Sequence, residues 1–596
     1  MIHDQETLQR LLDSVSRFVP DVLVPTENLL QKLHYLPKLA AGDDIGACAL
    51  TGQRKSDEEV MNIAANTAAT TAALAGALPA RISAIVRAQA ARAPDSPALH
   101  QDGRSWSYAE LAMEVDAHAA LLRQLGVRPG DRVMVVGENC VAQVALIFAA
   151  AELGAWSVNV NARLSHAEVA TIRQHSGARR VLYLVVDSPE ARLHAERDGA
   201  AAIAGMAGFI AGMMAGPLNQ QCSPEPVKPG NGQVAALIYT TGTTGQPKGV
   251  MLTHRNLLFV AAVSSALRGL MPHDRAYGVL PISHVYGLAS VMLGTLYAGA
   301  CLVLSPRFSS AALLRAITGD KLTILQGVPA MYARLLELAA AGPSPIPSTL
   351  RFIYAGGSPL DSNLKQQVEQ LLGLPLHNGY GMTETSPTIS QTRLDAPRTD
   401  TSVGTVIPGV DVRLVAVGSD GSDVARGDTG ELWVRGPNVM RGYYRAPALT
   451  CATMRPGGCL NTGDLARQDS DGALFIVGRT KELIIRSGFN VYPLEVETAL
   501  NAHPGVIQSA VVRRLVGGGN EEVVAFVEAH HHNWPGVQEL HDYLARQLSA
   551  YKCPSEIVVM AALPAAATGK ILKGQLTALA QQRDVNTPIK KTTGDR

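Results

Sequence analysis

The sequence is poor in cysteine and in aromatic residues for a chain of its length. Seven cysteines and 5% aromatic residues occur among 596 residues. The cysteines are scattered, and they form neither a C-x-x-C pair nor a zinc-site spacing. This composition argues against a disulfide scaffold and a structural zinc site. It is typical of a reducing compartment, so we expect a cytoplasmic protein.

The chain also lacks an excess of charge of either sign and an apolar start. The net charge is +1, and the charged residues are spread along the chain without a basic tract. Nucleic acid is therefore not an expected partner. The first ten residues, MIHDQETLQR, contain no apolar signal core, so secretion is not expected.

One uncharged stretch is long enough to cross a membrane. It covers residues 199–218, GAAAIAGMAGFIAGMMAGPL. Alanine and glycine dominate this stretch and gain little free energy in lipid, so we expect no stable membrane span. The sequence favours a short helix of small residues, or a flap, ahead of the polar linker at residues 220–232.

Strand and helix patterns predict an α/β protein with several domains. Alternation of the two patterns up to about residue 400 indicates parallel sheets covered by helices. Short strands with turn signals then indicate a small β subdomain, and a compact α+β unit follows. The predicted parts are an N-terminal extension and linker (1–80), a large domain (81–479), a mobile C-terminal domain (480–582) and a disordered tail (583–596).

A run of threonines and glycines, YTTGTTGQPKGV at residues 239–250, has the composition of a phosphate-binding loop. Glycines let backbone N–H groups approach an anion, hydroxyls donate hydrogen bonds, and a lysine neutralises charge. The spacing differs from G-x-x-x-x-G-K-[ST] because a proline precedes the lysine. We expect a turn from a strand to a helix here. Taken alone, the run could also be an ordinary turn.

The run closely resembles the signature loop of the adenylate-forming (AMP-binding) superfamily, which includes acyl-CoA synthetases, luciferases and peptide-synthetase adenylation domains. Thr241 stands where the family usually has serine, which keeps a hydroxyl. Four further motifs follow in the family's order, and the resemblance is continuous from about residue 82. The motifs are NGYGMTET (378–385), NTGDLARQDSDG (461–472), GRTKELIIRSGFNVYPLEVE (478–497) and LPAAATGKILKGQL (563–576).

The residue types in these motifs are suited to binding ATP, and the family resemblance implies that they bind it. A carboxylate such as Glu384 suits Mg²⁺, which takes few protein oxygens when phosphates supply others. A buried aspartate such as Asp464 suits the two ribose hydroxyls. The resemblance implies metal binding by Glu384 and Thr240, and ATP binding by Thr240, Thr241, Gly242, Thr243, Thr244, Gly245, Lys248, Gly356, Gly357, Tyr380, Gly381, Thr383, Asp464 and Arg479.

The resemblance also implies roles for residues whose type alone says little, because a lone lysine is usually solvated and a lone histidine usually structural. Lys570 would reach the carboxylate and the α-phosphate, acting with Glu384, Thr240 and Lys248 in catalysis. Lys481 would be the hinge between the domains. Coenzyme A would meet Gly488 and Phe489, and the acyl pocket would include His284, Val285, Ala355 and Gly379. For Arg486 and Glu495 we expect surface pairing, and for Asp469 and Asp471 a hairpin turn.

The predicted function is an ATP-dependent acid–CoA ligase that uses Mg²⁺ and forms acyl-AMP, pyrophosphate and then acyl-CoA. Residues 327–332 and 354–359 are small and apolar without Arg or Lys, so we expect an apolar monocarboxylic acid, fatty, aryl or alicyclic. Two alternatives are an adenylation enzyme that loads an amino or aryl acid onto a carrier, and a non-catalytic nucleotide or acyl sensor. A homodimer is a further expectation.

The first 40 residues form a unit of their own. One face of a predicted helix carries the apolar residues Leu8, Leu11, Leu12, Val15, Phe18 and Val19. This stretch is similar to the first helix of acyl-CoA dehydrogenases. It contains no flavin or catalytic motif, so we expect no activity from it.

Overall fold

A computed structural model describes residues 78–203, 208–241, 247–339, 348–487, 489–516, 520–529, 536–565 and 571–583 of the protein. The predicted helix near Leu8 and the predicted tail beyond residue 583 lie outside these ranges. Two large sheets, a smaller antiparallel sheet and a C-terminal α+β unit make up the described chain. The predicted fold class is confirmed.

A nine-stranded sheet forms one half of the large domain. Its strands are β1 (Pro97–Gln101), β2 (Arg104–Ser107), β10 (Arg275–Gly278), β11 (Cys301–Leu304), β12 (Ile324–Gly327), β13 (Phe352–Ala355), β14 (Leu376–Gly381), β15 (Thr388–Gln391) and β16 (Thr405–Val406). Their order is β16-β15-β14-β13-β12-β10-β11-β1-β2. The centre is parallel, and β2, β15 and β16 pair antiparallel at the edges.

An eight-stranded sheet forms the other half. Its strands are β3 (Arg132–Gly137), β4 (Trp156–Asn161), β5 (Arg180–Tyr183), β6 (Ala201–Ala202), β7 (Met214–Ala215), β8 (Val234–Thr241), β9 (Pro247–Thr253) and β19 (Gly442–Tyr443). The order is β19-β9-β8-β4-β3-β5-β7-β6. Strands β5, β3, β4 and β8 run parallel, whereas β9, β19, β7 and β6 are antiparallel to their neighbours.

Helices cover both sheets. Those of the large domain are Ala84–Arg92, Tyr108–Gln124, Val141–Leu153, His166–Ser176, Pro189–Arg197, His254–Leu267, Gly294–Tyr297, Ser310–Thr318, Pro329–Ala339, Ser362–Leu372 and Pro447–Thr453, with a π-helix at Tyr286–Leu293. The helix Val141–Leu153 is apolar on nearly every face and buried along almost its whole length. One apolar core includes residues of both sheets, such as Val133 and Ile238 from one and Ile324 and Ile353 from the other.

The small β subdomain is a five-stranded antiparallel sheet, as expected. It contains β17 (Asp411–Val415), β18 (Gly430–Arg435), β20 (Met454–Arg455), β21 (Cys459–Gln468) and β22 (Leu474–Arg479). The C-terminal unit contains β23 (Ile484–Arg486), β24 (Phe489–Val491), β25 (Val506–Leu515), β26 (Glu521–Ala529) and β27 (Glu556–Met560) with helices Pro493–Asn501, Val537–Ala545 and Lys573–Gln582. It has apolar cores of its own.

The phosphate-loop motif lies in a β-hairpin, so the expected turn from strand to helix was wrong. Strand β9 follows the loop and pairs antiparallel with β8. The helix begins only at His254, where Thr253 accepts a hydrogen bond from the backbone N–H of Asn256 and forms a capping box. Val250 and Leu252 are fully buried, whereas Met251 between them is only half-buried. This alternation is typical of a strand, but the sequence did not reveal it because an apolar helix follows directly.

Where it is described, the uncharged stretch at residues 199–218 forms two short strands, and the expected short helix is limited to a three-residue 3₁₀ helix, Gly208–Ile210. Strands β6 and β7 pair with each other and with the edge of the eight-stranded sheet. Phe209, Ile210 and Met213 are buried in that part. No helix among the described residues combines the length and the apolar character needed to span a membrane.

Asn139 joins the two large sheets just beyond the carboxyl end of β3. Its side chain is 2% exposed and donates to the carbonyl oxygens of Gly278 (2.9 Å) and Leu280 (2.8 Å). It also accepts from the backbone N–H of Ile282 at 2.9 Å. These bonds fix the segment that leads to His284.

We predict that Asn139→Ala lowers the melting temperature clearly. The change leaves buried backbone groups without partners, and each such group costs about 1–3 kcal/mol. Differential scanning calorimetry provides the measurement. The exposed helix residue Asn363 gives the control, since Asn363→Ala should change stability by no more than about 0.5 kcal/mol. Equal melting of Asn139→Ala and the unaltered protein would contradict the inference.

Candidate active site

The base of the phosphate loop places a hydroxyl opposite an ammonium group. Thr240 on β8 and Lys248 on β9 are register partners, and side chains of directly opposed residues lie on the same face of a sheet. Both are partly exposed, which leaves them accessible to a ligand. Thr241 is described only in its backbone, and Gly242, Thr243, Thr244 and Gly245 lie outside the described residues.

Glu384 is a carboxylate buried in the large domain. It lies in the one-turn helix Thr383–Thr385 after β14 and is 8% exposed. Its Oε1 accepts a hydrogen bond from the hydroxyl of Tyr443 at 2.7 Å. Within the described ranges no Lys, Arg or His forms an ion pair with it. A buried carboxylate of this kind calls for a cation.

A magnesium ion carried by ATP fits this carboxylate. The described residues contain no cluster of three or more His, Cys, Asp or Glu that could hold a metal. Mg²⁺ does not need such a cluster, because it is commonly held by one or two carboxylates together with phosphate oxygens and water. Glu384 would supply the carboxylate, and the ion would neutralise charge on the phosphates.

Tyr443 connects Glu384 to the phosphate loop. It lies in β19, opposite Val250 of β9, and Lys248 Nζ lies 5.7 Å from the centre of its ring. Burial raises the pKa of the Tyr443 hydroxyl, and the nearby carboxylate of Glu384 raises it further. The hydroxyl is therefore a hydrogen-bond donor toward Glu384.

Asp464 and Arg479 form the second polar cluster. They are register partners in β21 and β22, and Arg479 Nε lies 2.8 Å from Asp464 Oδ1. Asp464 is 2% exposed, and the Tyr380 hydroxyl donates to its other oxygen. The carboxylate raises the pKa of Arg479, and burial is the largest cause of the raised pKa of Tyr380. The structure thus brings three predicted nucleotide-binding residues together.

Glycines near the ends of β13 and β14 allow a close packing that any side chain would prevent. A Cβ at Gly379 would lie 1.9 Å from the Tyr354 hydroxyl, and one at Gly381 would lie 1.8 Å from the Pro387 carbonyl oxygen. Gly356 donates from its N–H to the Gly327 carbonyl at 3.1 Å. Gly357 has a φ of 84°, which favours glycine.

The predicted acyl-pocket residues lie around these glycines and at the start of the π-helix. His284 is exposed, and its carbonyl accepts from the N–H of Leu288. Val285 and Ala355 are 1% and 0% exposed. Tyr286, the first residue of the π-helix, packs against Tyr354 with ring centres 6.3 Å apart.

Arg268 is a buried cation that the sequence analysis missed. It is 1% exposed, lies 4.3 Å from the centre of the Tyr354 ring and donates to Gln326 Oε1 at 2.6 Å. The segments at 327–332 and 354–359 are free of Arg and Lys, but a cation from another part of the chain supports one of them. Arg268 lies at the end of helix His254–Leu267, and nothing in the local sequence indicates that its side chain is buried.

The predicted hinge has an anchor on each side. Thr480 Oγ1 donates to Glu431 Oε1 of β18 at 3.1 Å. Lys573 Nζ of the C-terminal unit lies 2.9 Å from Glu482 Oε2. Lys481 lies between them and is exposed.

The predicted coenzyme A residue Phe489 is 55% exposed and stacks on Tyr551 with ring centres 4.8 Å apart. Glu495 pairs with Lys552 as expected. Arg486 instead donates to the carbonyl oxygens of Tyr551 and Cys553, so its expected surface pairing was wrong. Gly488 and Lys570 lie outside the described residues. Asp469 and Asp471 lie in the predicted hairpin turn between β21 and β22.

Comparison with known proteins decides the family. A family model described as AMP-binding enzyme matches residues 86–444, and a model of the AMP-binding enzyme C-terminal domain matches residues 495–570. The chain belongs to the AMP-binding enzymes. Its predicted activity is confirmed: it is an ATP-dependent, AMP-forming acid–CoA ligase.

Two curated relatives and one solved structure are similar over most of the chain. Feruloyl-CoA synthase from Amycolatopsis sp. is 36% identical and covers 82% of this chain and 96% of its own. Indoleacetate–CoA ligase from Aromatoleum aromaticum is 34% identical, covering 84% and 98%. The ATP-bound structure of MatB from Rhodopseudomonas palustris is 29% identical with a TM-score of 0.75, covering 85% and 99%.

We predict that Asp464→Asn weakens ATP binding by roughly 10–100-fold, because a hydrogen bond to a charged group contributes about 1.5–3 kcal/mol. The neutral amide also leaves Arg479 without its anion. Titration calorimetry with MgATP measures the change. Asp471→Asn, which breaks an ion pair to Arg398 on the surface, provides the control and should bind as the unaltered protein does. Unchanged affinity in Asp464→Asn would contradict the ribose assignment.

Proposed function

We propose that this ligase acts on an aryl-substituted monocarboxylic acid. The support is the chemistry around the predicted acyl site, where the rings of Tyr286 and Tyr354 contact each other beside Gly356. Aromatic rings suit contact with a flat ring. The feruloyl and indoleacetate relatives, which are named for acids that carry an aromatic ring, favour the same class.

The first half-reaction joins the acid to AMP. The acid's carboxylate oxygen attacks the α-phosphorus, and pyrophosphate leaves. Thr240 and Lys248 would bind the departing phosphates, while Asp464 would hold the ribose so that the α-phosphate faces the acyl pocket. Positioning and neutralisation of growing negative charge would provide most of the rate enhancement.

The second half-reaction moves the acyl group to coenzyme A. The thiol sulfur attacks the acyl carbon, and AMP leaves with the oxygen that came from the acid. We propose that the C-terminal domain, residues 480–582, rotates about Lys481 between the two steps. The support is the exposed Lys481 between one anchor on the β subdomain and one on the C-terminal unit. Such rotation would let Lys570 serve the first step and Gly488 and Phe489 the second.

We also propose a cellular compartment and an oligomeric state for the ligase. Six free cysteines occur among the described residues, which favours a reducing cytoplasmic compartment. The homodimer stays a prediction. A solution measurement of mass by light scattering tests it.

A panel of acids tests the substrate class. We predict that cinnamate-type and arylacetic acids support release of AMP and pyrophosphate with ATP, Mg²⁺ and coenzyme A, at kcat/KM values at least tenfold above those of straight-chain fatty acids of equal carbon number. Product chromatography detects AMP, and a coupled assay detects pyrophosphate. Better turnover of straight-chain acids would refute the aryl assignment. Transfer to a carrier protein but not to coenzyme A would favour the carrier-loading alternative.

Separate assays of the two steps test the domain rotation. We predict that Lys570→Ala reduces acid-dependent pyrophosphate release by roughly 10²–10³-fold or more, because a positioned cation at growing charge is lost. The same variant should still convert supplied acyl-AMP and coenzyme A to thioester.

Gly488→Leu provides the opposite case, since a side chain would obstruct the path of the thiol arm. It should release pyrophosphate and fail in thioester formation. Equal slowing of both steps by each variant would mean that one arrangement of the domains serves both steps.

A further inference from the structure

Tyr443 has no role in the mechanism so far, yet it lies between two predicted phosphate-site residues. Its hydroxyl donates to Glu384 Oε1 at 2.7 Å, and its ring lies 5.7 Å from Lys248 Nζ. The side chain is 6% exposed. One side chain therefore contacts both the carboxylate predicted to bind Mg²⁺ and the cation predicted to bind phosphate.

The backbone around Tyr443 is fixed on three sides. Strand β19 pairs with β9 of the phosphate hairpin. The N–H of Tyr443 donates to Thr450 Oγ1 at 2.9 Å. Gly442 has a φ of 141°, and a Cβ there would lie 2.8 Å from Thr450 Cγ2. The position of the phenol is thus set by the hairpin and by the helix Pro447–Thr453.

The same segment holds Glu384 at two points. The N–H of Met440 donates to the main-chain oxygen of Glu384 at 2.8 Å, while Tyr443 binds its side-chain oxygen. Two contacts from one short segment fix both the backbone and the carboxylate plane. The remaining lone pairs of the Glu384 carboxylate would be presented to a metal ion.

We propose that Tyr443 is a positioning residue for the metal–nucleotide complex. Its hydroxyl orients the Glu384 carboxylate toward Mg²⁺, and its ring receives the Lys248 ammonium group, so that the anion and the cation each face the phosphates. The inference rests on the proposed roles of Glu384 and Lys248. Groups that hydrogen-bond to a metal ligand typically contribute 10–100-fold to metal affinity or activity.

Metal binding, measured without turnover, provides the test. Wild-type protein and Tyr443→Phe, each in excess over ATP so that the nucleotide is protein-bound, are titrated with Mn²⁺ in metal-depleted buffer without chelator, and free Mn²⁺ is followed by electron paramagnetic resonance. We expect roughly 10–100-fold weaker Mn²⁺ binding in Tyr443→Phe. Binding of metal-free ATP should stay within about twofold, because the ribose contacts are untouched.

Tyr444→Phe is the matched control. The Tyr444 hydroxyl donates to Glu225 at 2.6 Å, away from Glu384, so its loss should leave the Mn²⁺ titration unchanged. Equal Mn²⁺ affinity of Tyr443→Phe and the wild type would overturn the proposal, and so would an equal loss in both phenylalanine variants.

A double-mutant cycle separates orientation of the carboxylate from a general loss of packing. Adding Tyr443→Phe to Glu384→Gln should weaken Mn²⁺ binding no further, because the group that Tyr443 orients is already altered. Additive losses would show that Tyr443 acts independently of Glu384 and would refute the inference. Wild-type protein that binds Mn²⁺ with ATP no more tightly than ATP alone does would instead refute the proposed role of Glu384 itself.

Discussion

Two buried carboxylates impose the strongest constraint on this molecule. Glu384 and Asp464 are 8% and 2% exposed, and an uncompensated charge in such a place is costly. Each carboxylate accepts a hydrogen bond from a tyrosine hydroxyl that lies far away in the sequence. Tyr443 is 59 positions from Glu384, and Tyr380 is 84 positions from Asp464. The fold has to bring these segments together before either carboxylate gains its tyrosine partner.

The fold brings these segments together because the site lies where three sheets adjoin. The phosphate hairpin belongs to the eight-stranded sheet, Glu384 follows β14 of the nine-stranded sheet, and Asp464 lies in the β subdomain. Carboxyl ends of parallel strands are the usual place for a ligand in an α/β sheet. Strand β19 then pairs with the hairpin and carries Tyr443 to Glu384. The proposed nucleotide site therefore draws its residues from three sheets, which explains why they are far apart in sequence.

Much of this could be predicted from the sequence, because the nucleotide contacts lie in short motifs with fixed spacing. The family resemblance of those motifs assigned roles to Glu384, Asp464 and Arg479, and the structure places Asp464 beside both Tyr380 and Arg479. The hairpin was missed because the apolar helix after it extends the same hydrophobic pattern. Arg268 and Tyr443 were missed for another reason. Their importance lies in contacts across the fold, and neither residue type nor local spacing encodes such a contact.

The central claim is that the site orients MgATP so that the acid attacks the α-phosphorus. Isotope transfer tests this most directly. Turnover of an aryl acid labelled with ¹⁸O in both carboxyl oxygens is followed by mass spectrometry of the nucleotide product. The account predicts AMP with one ¹⁸O in its phosphate and unlabelled pyrophosphate, because the bond from acid oxygen to phosphorus survives when coenzyme A takes the acyl group. Label in pyrophosphate, or AMP without label, would contradict it.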